Sequence, residues 1–298
     1  MVAVGDGDGF VRCGCGDRHW GIHGAAGLLL TDPERGVLLQ HRAWWTHHGG
    51  TWALPGGAVH SSESPLEAAL REAGEEAGIL PVSVRPTSSS TVDHGKWFYT
   101  TVLADIRGTV KERRQEESAE LRWVQPETVT GLPLHHDFAA AWPALREQLG
   151  RRLVLVVDAA NVVGSRPDGW WRDRAGATAR LRDRLAAFAQ DGVAGAGLSA
   201  ADPVAGESRG AVWTWWPLII MVVEGRASGV EPVPGVEVVA AERDGDTAIV
   251  AATADVINAR PKDHVLVVTA DRELRASVSA EGAGLMGPGA LLGLLDAG

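Results

Sequence analysis

Gly57-Ala58-Val59-His60-Ser61-Ser62-Glu63-Ser64-Pro65-Leu66-Glu67-Ala68-Ala69-Leu70-Arg71-Glu72-Ala73-Gly74-Glu75-Glu76-Ala77-Gly78-Ile79 decides how the first half of this chain folds. Ser64 can cap a helix, Pro65 suits the first helical position, and Glu67 completes a capping box. Gly78 is a natural stop. At 3.6 residues per turn, Leu66, Ala69, Leu70, Ala73 and Ala77 share one narrow face suited to packing on a sheet. Glu72, Glu75 and Glu76 fall together on a separate arc. Like charges at this spacing destabilise a helix by about 0.2–0.5 kcal/mol per pair. A solvated acidic face is one reading of the three. A hard divalent cation bound through oxygen is the other. The entry Leu54-Pro55-Gly56-Gly57 weighs toward the cation, because glycine lets backbone approach the same ion closely.

The segment resembles the Nudix box, G-x5-E-x7-R-E-U-x-E-E-x-G-U with U apolar. Every fixed position matches, with the small Ala73 at an aliphatic position. The resemblance covers roughly residues 20–150 and takes in Gly50-Thr51-Trp52-Ala53-Leu54-Pro55-Gly56-Gly57. It implies an α/β/α sandwich with a mixed sheet. It also implies Mg²⁺- or Mn²⁺-dependent hydrolysis of the pyrophosphate link in a nucleoside di- or triphosphate derivative, as in the MutT-like branch. On this resemblance Gly57, Glu72, Glu75 and Glu76 are metal ligands, and Glu75 or Glu76 positions the attacking water. Glu63 and Arg71 form a bracing ion pair. Glu120 is expected as a further metal ligand and catalytic residue outside the box, with Glu117 the nearest alternative. Trp52 is a candidate base-stacking residue and His48 a candidate phosphate contact.

Outward from this segment, 298 residues suggest two domains. The apolar fraction of 45% is enough for buried cores, and no apolar run is long enough to span a bilayer. The start of the chain lacks the pattern of a signal peptide, and Cys13 and Cys15 stand too close to staple a fold. A cytoplasmic setting is therefore expected. The net charge of −10 argues against tight duplex binding and suits carboxylate sites for Mg²⁺. Residues 1–19 are expected to be loose. Cys13, Cys15, His19 and His23 could supply zinc ligands, but their spacing matches no standard site. A loose leader followed by strand histidines is the preferred reading.

A boundary is expected near residue 150. Leu153–Val157 and Val265–Thr269 read as parallel strands buried on both faces, and alternate with helices. Val212 to Val223 reads as strand and residues 193–210 as a long loop. Asp158 stands at one strand end, Asp271 just beyond another, and Asp246 at a helix start. Ligand sites of open parallel sheets lie at such ends, although helix capping would equally place Asp246 and Asp271.

Residues 152–296 resemble the PIN-like fold in its NYN branch, a Rossmannoid parallel-sheet α/β domain. That resemblance implies Mg²⁺ held by Asp158, Asp246 and Asp271 for RNA hydrolysis, with Asn161 as a substrate contact. Arg272-Glu273 departs from the pattern where a second acid often follows. A binding or scaffold role is therefore the alternative, and an RNA-processing factor joining the two halves is the runner-up for the whole chain. Gly282-Ala283-Gly284-Leu285-Met286-Gly287 is rejected as a dinucleotide site, because no room remains for the later acid. The expected partners are a nucleotide substrate and, through the C-terminal half, RNA. A homodimer is compatible with this set, and no membrane partner is expected.

Overall fold

The computed structural model describes residues 5–113, 118–167, 169–198 and 211–297. They cluster into two compact units that divide at Gly150/Arg151, with residues 211–213 counted with the first.

The first unit begins with a hairpin, β1 (Phe10–Arg12) and β2 (Arg18–Trp20). Its mixed sheet contains β3 (Ala25–Asp32), β4 (Gly36–Arg42), β5 (Trp52–Ala53) and β6 (Gly56–Ala58). Helix α1 (Pro65–Ala77) follows, then β7 (Val84–Asp93), β8 (Phe98–Ile106), β9 (Ser118–Val124) and α2 (His136–Gln148). Strand β3 is central: it runs parallel to β8 and antiparallel to β4 and β6. Strand β9 pairs with β4.

Helix α1 forms as its ends dictate. The Ser64 hydroxyl and the Glu67 side chain cap each other's backbone, and Gly78 closes the helix at φ 70°. The helix lays Ala68, Ala69, Ala73 and Ala77 against Leu28, Leu30 and Leu38 of the sheet, with Leu66 and Leu70 half-buried at the margin. Four alanines seat the helix closely on the sheet.

The second unit opens with β10 (Leu153–Asp158), α3 (Ala159–Gly164) and α4 (Arg174–Asp191). The chain continues through β11 (Val193–Ala194), β12 (Ala211–Trp215, its first three residues counted with the first unit), β13 (Leu218–Val223), β14 (Val236–Ala240) and α5 (Gly245–Ala259). It ends with β15 (His264–Val268), α6 (Arg272–Ala280), β16 (Gly284–Met286) and α7 (Pro288–Ala297). The all-parallel sheet runs β14-β13-β10-β15-β16. Every residue of β10 is buried, as expected of a central strand covered on both faces.

Three expectations need correction. Residues 10–20 are not a loose leader: they form a register-paired hairpin, with Phe10 edge-on to Trp20 at 5.0 Å. Val212 to Val223 is not one strand, because Trp216-Pro217 interrupts it and Pro217 cannot donate to a ladder. Strand β7 was not foreseen: its Val-Arg-Pro-Thr-Ser-Ser-Ser run lacks apolar alternation, and Pro86 sits at a register shift against β8. Residues 199–210 of the expected loop lie outside the described residues.

The reciprocal cap at Ser64 gives a stability test. Ser64→Ala removes one acceptor and orphans a helix-start N–H, so it should cost about 1 kcal/mol. Thermal or denaturant unfolding reads this directly, and an unchanged midpoint would mean that the capping box does not hold α1 in place.

Candidate functional site

Gly57, Glu72 and Glu76 of the box meet where β6 passes under α1. Strand β6 lies so close to its neighbours that a Cβ on Gly56 would stand 2.4 Å from the Ala26 carbonyl oxygen. On Gly57 it would stand 2.4 Å from Oε1 of Glu72. The Gly56 N–H donates to Oε2 of Glu76 at 2.7 Å. Glu76 is only 6% exposed, so it does not share a solvated arc with Glu75. Burial, reinforced by the neighbouring Glu72 charge, pushes its carboxyl up to about 8. Gln40 lies against it; the Gln40 amide donates to Ser118 Oγ at 2.9 Å, and its Oε1 is buried without a hydrogen-bond partner.

Arg71 organises the outer side of the cluster. Its Nε and Nη2 take the Glu63 carboxylate as a fork at 3.1 and 2.7 Å. Its Nη1 meets Glu72 at 2.8 Å and the exposed Glu75 at 3.2 Å, while Nη2 also donates to the Ala58 carbonyl. Hydrogen bonds donated to the Glu63 carboxylate, outweighing burial, hold the guanidinium charge more firmly than usual. The loop before α1 is thereby tied to the helix and to β6.

The donor set suits a hard divalent cation. It is all oxygen, it contains a carboxyl whose charge is suppressed by burial, and an orphaned amide oxygen lies beside that carboxyl. Glu72, Glu76 and the Gly57 backbone are the groups brought together, with Glu75 at the outer edge.

Glu120 does not join them. On β9, Leu121 and Trp123 face the core under α1, so Glu120 and Arg122 take the other face. Glu120 pairs with Arg122 at 2.7 Å and lies opposite His41. Past the register shift after His41, Ser118 takes the position next to the box and donates to the Glu76 carbonyl at 3.2 Å. Glu117 lies outside the described residues.

Trp52 is likewise not an open platform. It is buried, with His41 stacked on it at 4.9 Å and the Arg122 guanidinium over its ring at 4.6 Å. In the turn between β4 and β5, Trp44 and Trp45 are exposed. His48 adopts φ 56° in that turn, and its ring meets His47, His135 and His136 at 3.9, 4.7 and 5.1 Å. Burial lowers His47 and His48, and lowers His135 to about 4, so burial disfavours charge on these three imidazoles. His135 and His136 were missed in the sequence, because only the bridge between Trp52 and Leu134 carries them to His48.

In the second unit, Asp158, Asp246 and Asp271 line one cavity of about 280 Å³ at the carboxyl ends of the parallel strands, together with Asn161 and Glu224. Glu224 was missed; its signal was its place directly after the apolar strand β13. Asp158 accepts from the Asn161 N–H at 2.9 Å and from the Thr269 hydroxyl at 3.0 Å. The Asn161 side-chain oxygen accepts from the Ala270 N–H, locking that turn. Asp271 caps α6. Asp246 is no cap, because Asp244 fills that role for α5. Burial raises Asp158 and Asp246, and the neighbouring carboxylates add to both shifts. Gly284–Met286 of the rejected glycine pattern is edge strand β16.

Among the described residues no helix is long and apolar enough to cross a membrane. Residues 21–148 match the NUDIX domain family. A putative 8-oxo-dGTP diphosphatase 3 of Mycobacterium tuberculosis is 50% identical over 152 residues, covering 48% of this chain and 70% of its own length. A nucleoside triphosphate pyrophosphatase/Nudix hydrolase fusion protein of Bifidobacterium longum is 44% identical over 152 residues, covering 48% of this chain and 32% of that protein. The crystal structure of a Nudix hydrolase from M. smegmatis, RenU, is 51% identical, covers 47% of this chain and 94% of that one, and superposes with a TM-score of 0.43. With an intact box folded between β6 and α1 and a relative of this similarity, the chain belongs to the Nudix hydrolases.

Proposed function

We propose that the N-terminal unit hydrolyses the pyrophosphate link of a nucleoside triphosphate, oxidised forms included, in the MutT-like manner and with Mg²⁺ or Mn²⁺. The observation that carries this reading is the buried Glu76 carboxyl, held by the Gly56 N–H beside Glu72 and the Cβ-free Gly57. Gly57, Glu72, Glu75 and Glu76 would hold the ion. When bound, it neutralises phosphate oxygens and lowers the pKa of water. Arg71 keeps Glu72 and Glu75 from swinging away, and the exposed Glu75 is placed to accept the proton of the attacking water. The histidine corner around His48 offers imidazole donors to a phosphate chain.

A second reading concerns the C-terminal unit alone, which we take as PIN-like. Four carboxylates on one cavity at the ends of a parallel sheet favour a divalent-cation site that cuts or holds RNA. Asp158, Asp246, Asp271 and the added Glu224 would be its ligands, and Asn161 its turn-locking partner. The relatives named above have no bearing on RNA.

Three outcomes test these readings. First, a panel of nucleoside triphosphates, 8-oxo-dGTP and ADP-ribose is assayed with Mg²⁺ or Mn²⁺. Glu76→Gln and Gly57→Ala should each lower kcat by about 10²–10⁴, whereas Glu120→Gln, on the other sheet face, should stay within about tenfold. Equal turnover by wild type and Glu76→Gln would sink the assignment.

Second, pH should tune the metal-free protein. Glu76 has its carboxyl raised when folded, facing Glu72, Arg42, Gln40 and the Gly56 N–H. Between about 4.5 and about 8 the folded state therefore holds a proton that the unfolded state has released, and stability falls as pH rises through that window. Glu76→Gln should flatten this slope and be on the order of 1–3 kcal/mol more stable than wild type near pH 8. Unfolding midpoints across pH read it, and parallel slopes would refute the burial argument.

Third, 5′-labelled RNA is incubated with wild type and Asp158→Asn. Loss of cutting or retention in Asp158→Asn, with nucleotide hydrolysis unchanged, supports the second reading. A wild type that neither cuts nor retains RNA removes it.

A further inference from the structure

The β1–β2 hairpin carries chemistry that neither reading above uses. Its turn is Cys13-Gly14-Cys15-Gly16-Asp17, closed by the Cys13 N–H donating to the Asp17 carbonyl at 3.0 Å, with Gly16 at φ 101°. The turn therefore requires a residue free to adopt positive φ, and glycine fills it. Strand β2 then presents His19, paired across the hairpin with Val11. The fourth residue comes from elsewhere. His94 sits in the turn between β7 and β8, where its N–H donates to the Trp97 carbonyl at 2.8 Å.

Cys13, Cys15, His19 and His94 each direct one ligand atom into a common space, with all four atoms within 4.8 Å of one another. Sγ of Cys15 lies 3.1 Å from Nε2 of His19. The Cys15 N–H points at Sγ of Cys13 at 3.5 Å, which holds the two turn cysteines together. Sγ of Cys13 lies 3.8 Å from the His94 carbonyl oxygen. Metal–sulfur bonds of about 2.3 Å and metal–nitrogen bonds of about 2.0–2.1 Å put tetrahedral ligand atoms roughly 3.3–3.8 Å apart. The observed group needs to contract by about 1.5 Å at most to reach that spacing.

The imidazoles are held rather than free. The His19 ring stacks on Trp97 at 4.0 Å and 10°, and its residue is only 9% exposed. The Trp97 indole N–H donates in turn to the Trp20 carbonyl at 3.0 Å, so ring and strand are fixed together. His94 meets His19 edge-on at 5.1 Å. His23, the fourth ligand that linear spacing suggests, is exposed and absent from the group. Two thiols and two imidazoles without a carboxylate are a borderline-soft, nitrogen–sulfur donor set. It suits Zn²⁺ and is unlike the all-oxygen set under α1.

We propose that Cys13, Cys15, His19 and His94 form a structural zinc site that pins the β1–β2 hairpin to the β7–β8 turn. The site is closed, with four protein ligands and no position left for substrate. It is therefore a clamp rather than a catalytic centre. The hairpin it would fix also places Phe10 against His47 at 5.5 Å, so the clamp bears on the histidine corner beside the box.

The test uses the full chain, expressed with zinc and purified reduced. Elemental analysis should find one equivalent of zinc retained through dialysis. Replacing it with Co²⁺ should give the sulfur-to-cobalt charge-transfer absorption and the strong visible bands of a tetrahedral thiolate site. An ion at the carboxylates or at His48, His135 and His136 cannot produce the charge-transfer band, because no thiol is there. Cys15→Ser and His94→Gln should each lose the bound zinc, and His23→Gln should keep it. Chelation should lower the melting temperature of wild type and leave that of His94→Gln unchanged. If a cysteine variant fails to fold, the cobalt spectrum of wild type still decides. Overturning results are wild type without zinc and without the charge-transfer band, a Cys13–Cys15 disulfide that persists under reduction, or zinc lost in His23→Gln but kept in His94→Gln.

Discussion

A carboxyl group forced under a helix is the constraint around which the first unit is arranged. Glu76 cannot escape to water, because Ala73 and Ala77 on either side of it seat α1 directly on the sheet. Its partners are the Gly56 N–H and the Gln40 side chain, and such neutral donors do not offset the burial of a full charge. Glu72 lies beside it and adds repulsion. Small residues create this situation deliberately: alanines on the helix and glycines on β6 bring two backbones close enough that the carboxylates have nowhere else to go. A site that is uncomfortable when empty of positive charge binds a cation more tightly for that reason.

Arg71 shows how such a cluster survives in the meantime. Its guanidinium bridges Glu63, Glu72 and Glu75 and reaches the Ala58 carbonyl, so four acceptors share one rigid, permanently charged fork. Lysine, a point charge on a flexible stem, could neutralise one of these carboxylates but not orient three. Glu76, out of reach of this fork, is left as the group with suppressed charge. The division of labour follows: one arginine holds the outer carboxylates in place, and the inner one is left buried with its charge suppressed.

The first site was largely legible because all its parts lie within one helix and the glycines before it. Spacing along a helix fixes direction, and the capping signals at Ser64 and Gly78 fix its ends. What was not legible depended on partners distant in sequence. Alternation along β9 places Glu120 on the far face only once the register with β4 is known, and the shift after His41 then gives Ser118 the position near Glu76. Trp52 is exposed or buried according to whether Arg122 and His41 cover it, which its own sequence neighbours do not reveal. The hairpin at residues 10–20 looked loose because glycine and aspartate dominate around it. Its order comes from Trp97 and His94, which belong to a turn far along the chain.

The second unit meets the same electrostatic problem with a different backbone. Helices pack on this sheet too, through Ile249, Leu274 and Val278, but the carboxylates stand at the strand ends. Parallel strands β10, β13 and β15 simply end side by side, and Asp158, Glu224 and Asp271 sit at or just beyond their carboxyl ends. Asp158 is the most constrained: it is buried and fixed by both the Asn161 N–H and the Thr269 hydroxyl. Asp271 spends one oxygen on capping α6, and Glu224 accepts from the Gly245 N–H. Asp246 alone is relieved of structural duty, because Asp244 caps α5 in its place. Adjacent acids at a helix start thus separate into one that holds the helix and one that faces the cavity. That separation is the physical reason a Asp-Gly-Asp segment can stabilise a fold and equip a site at once.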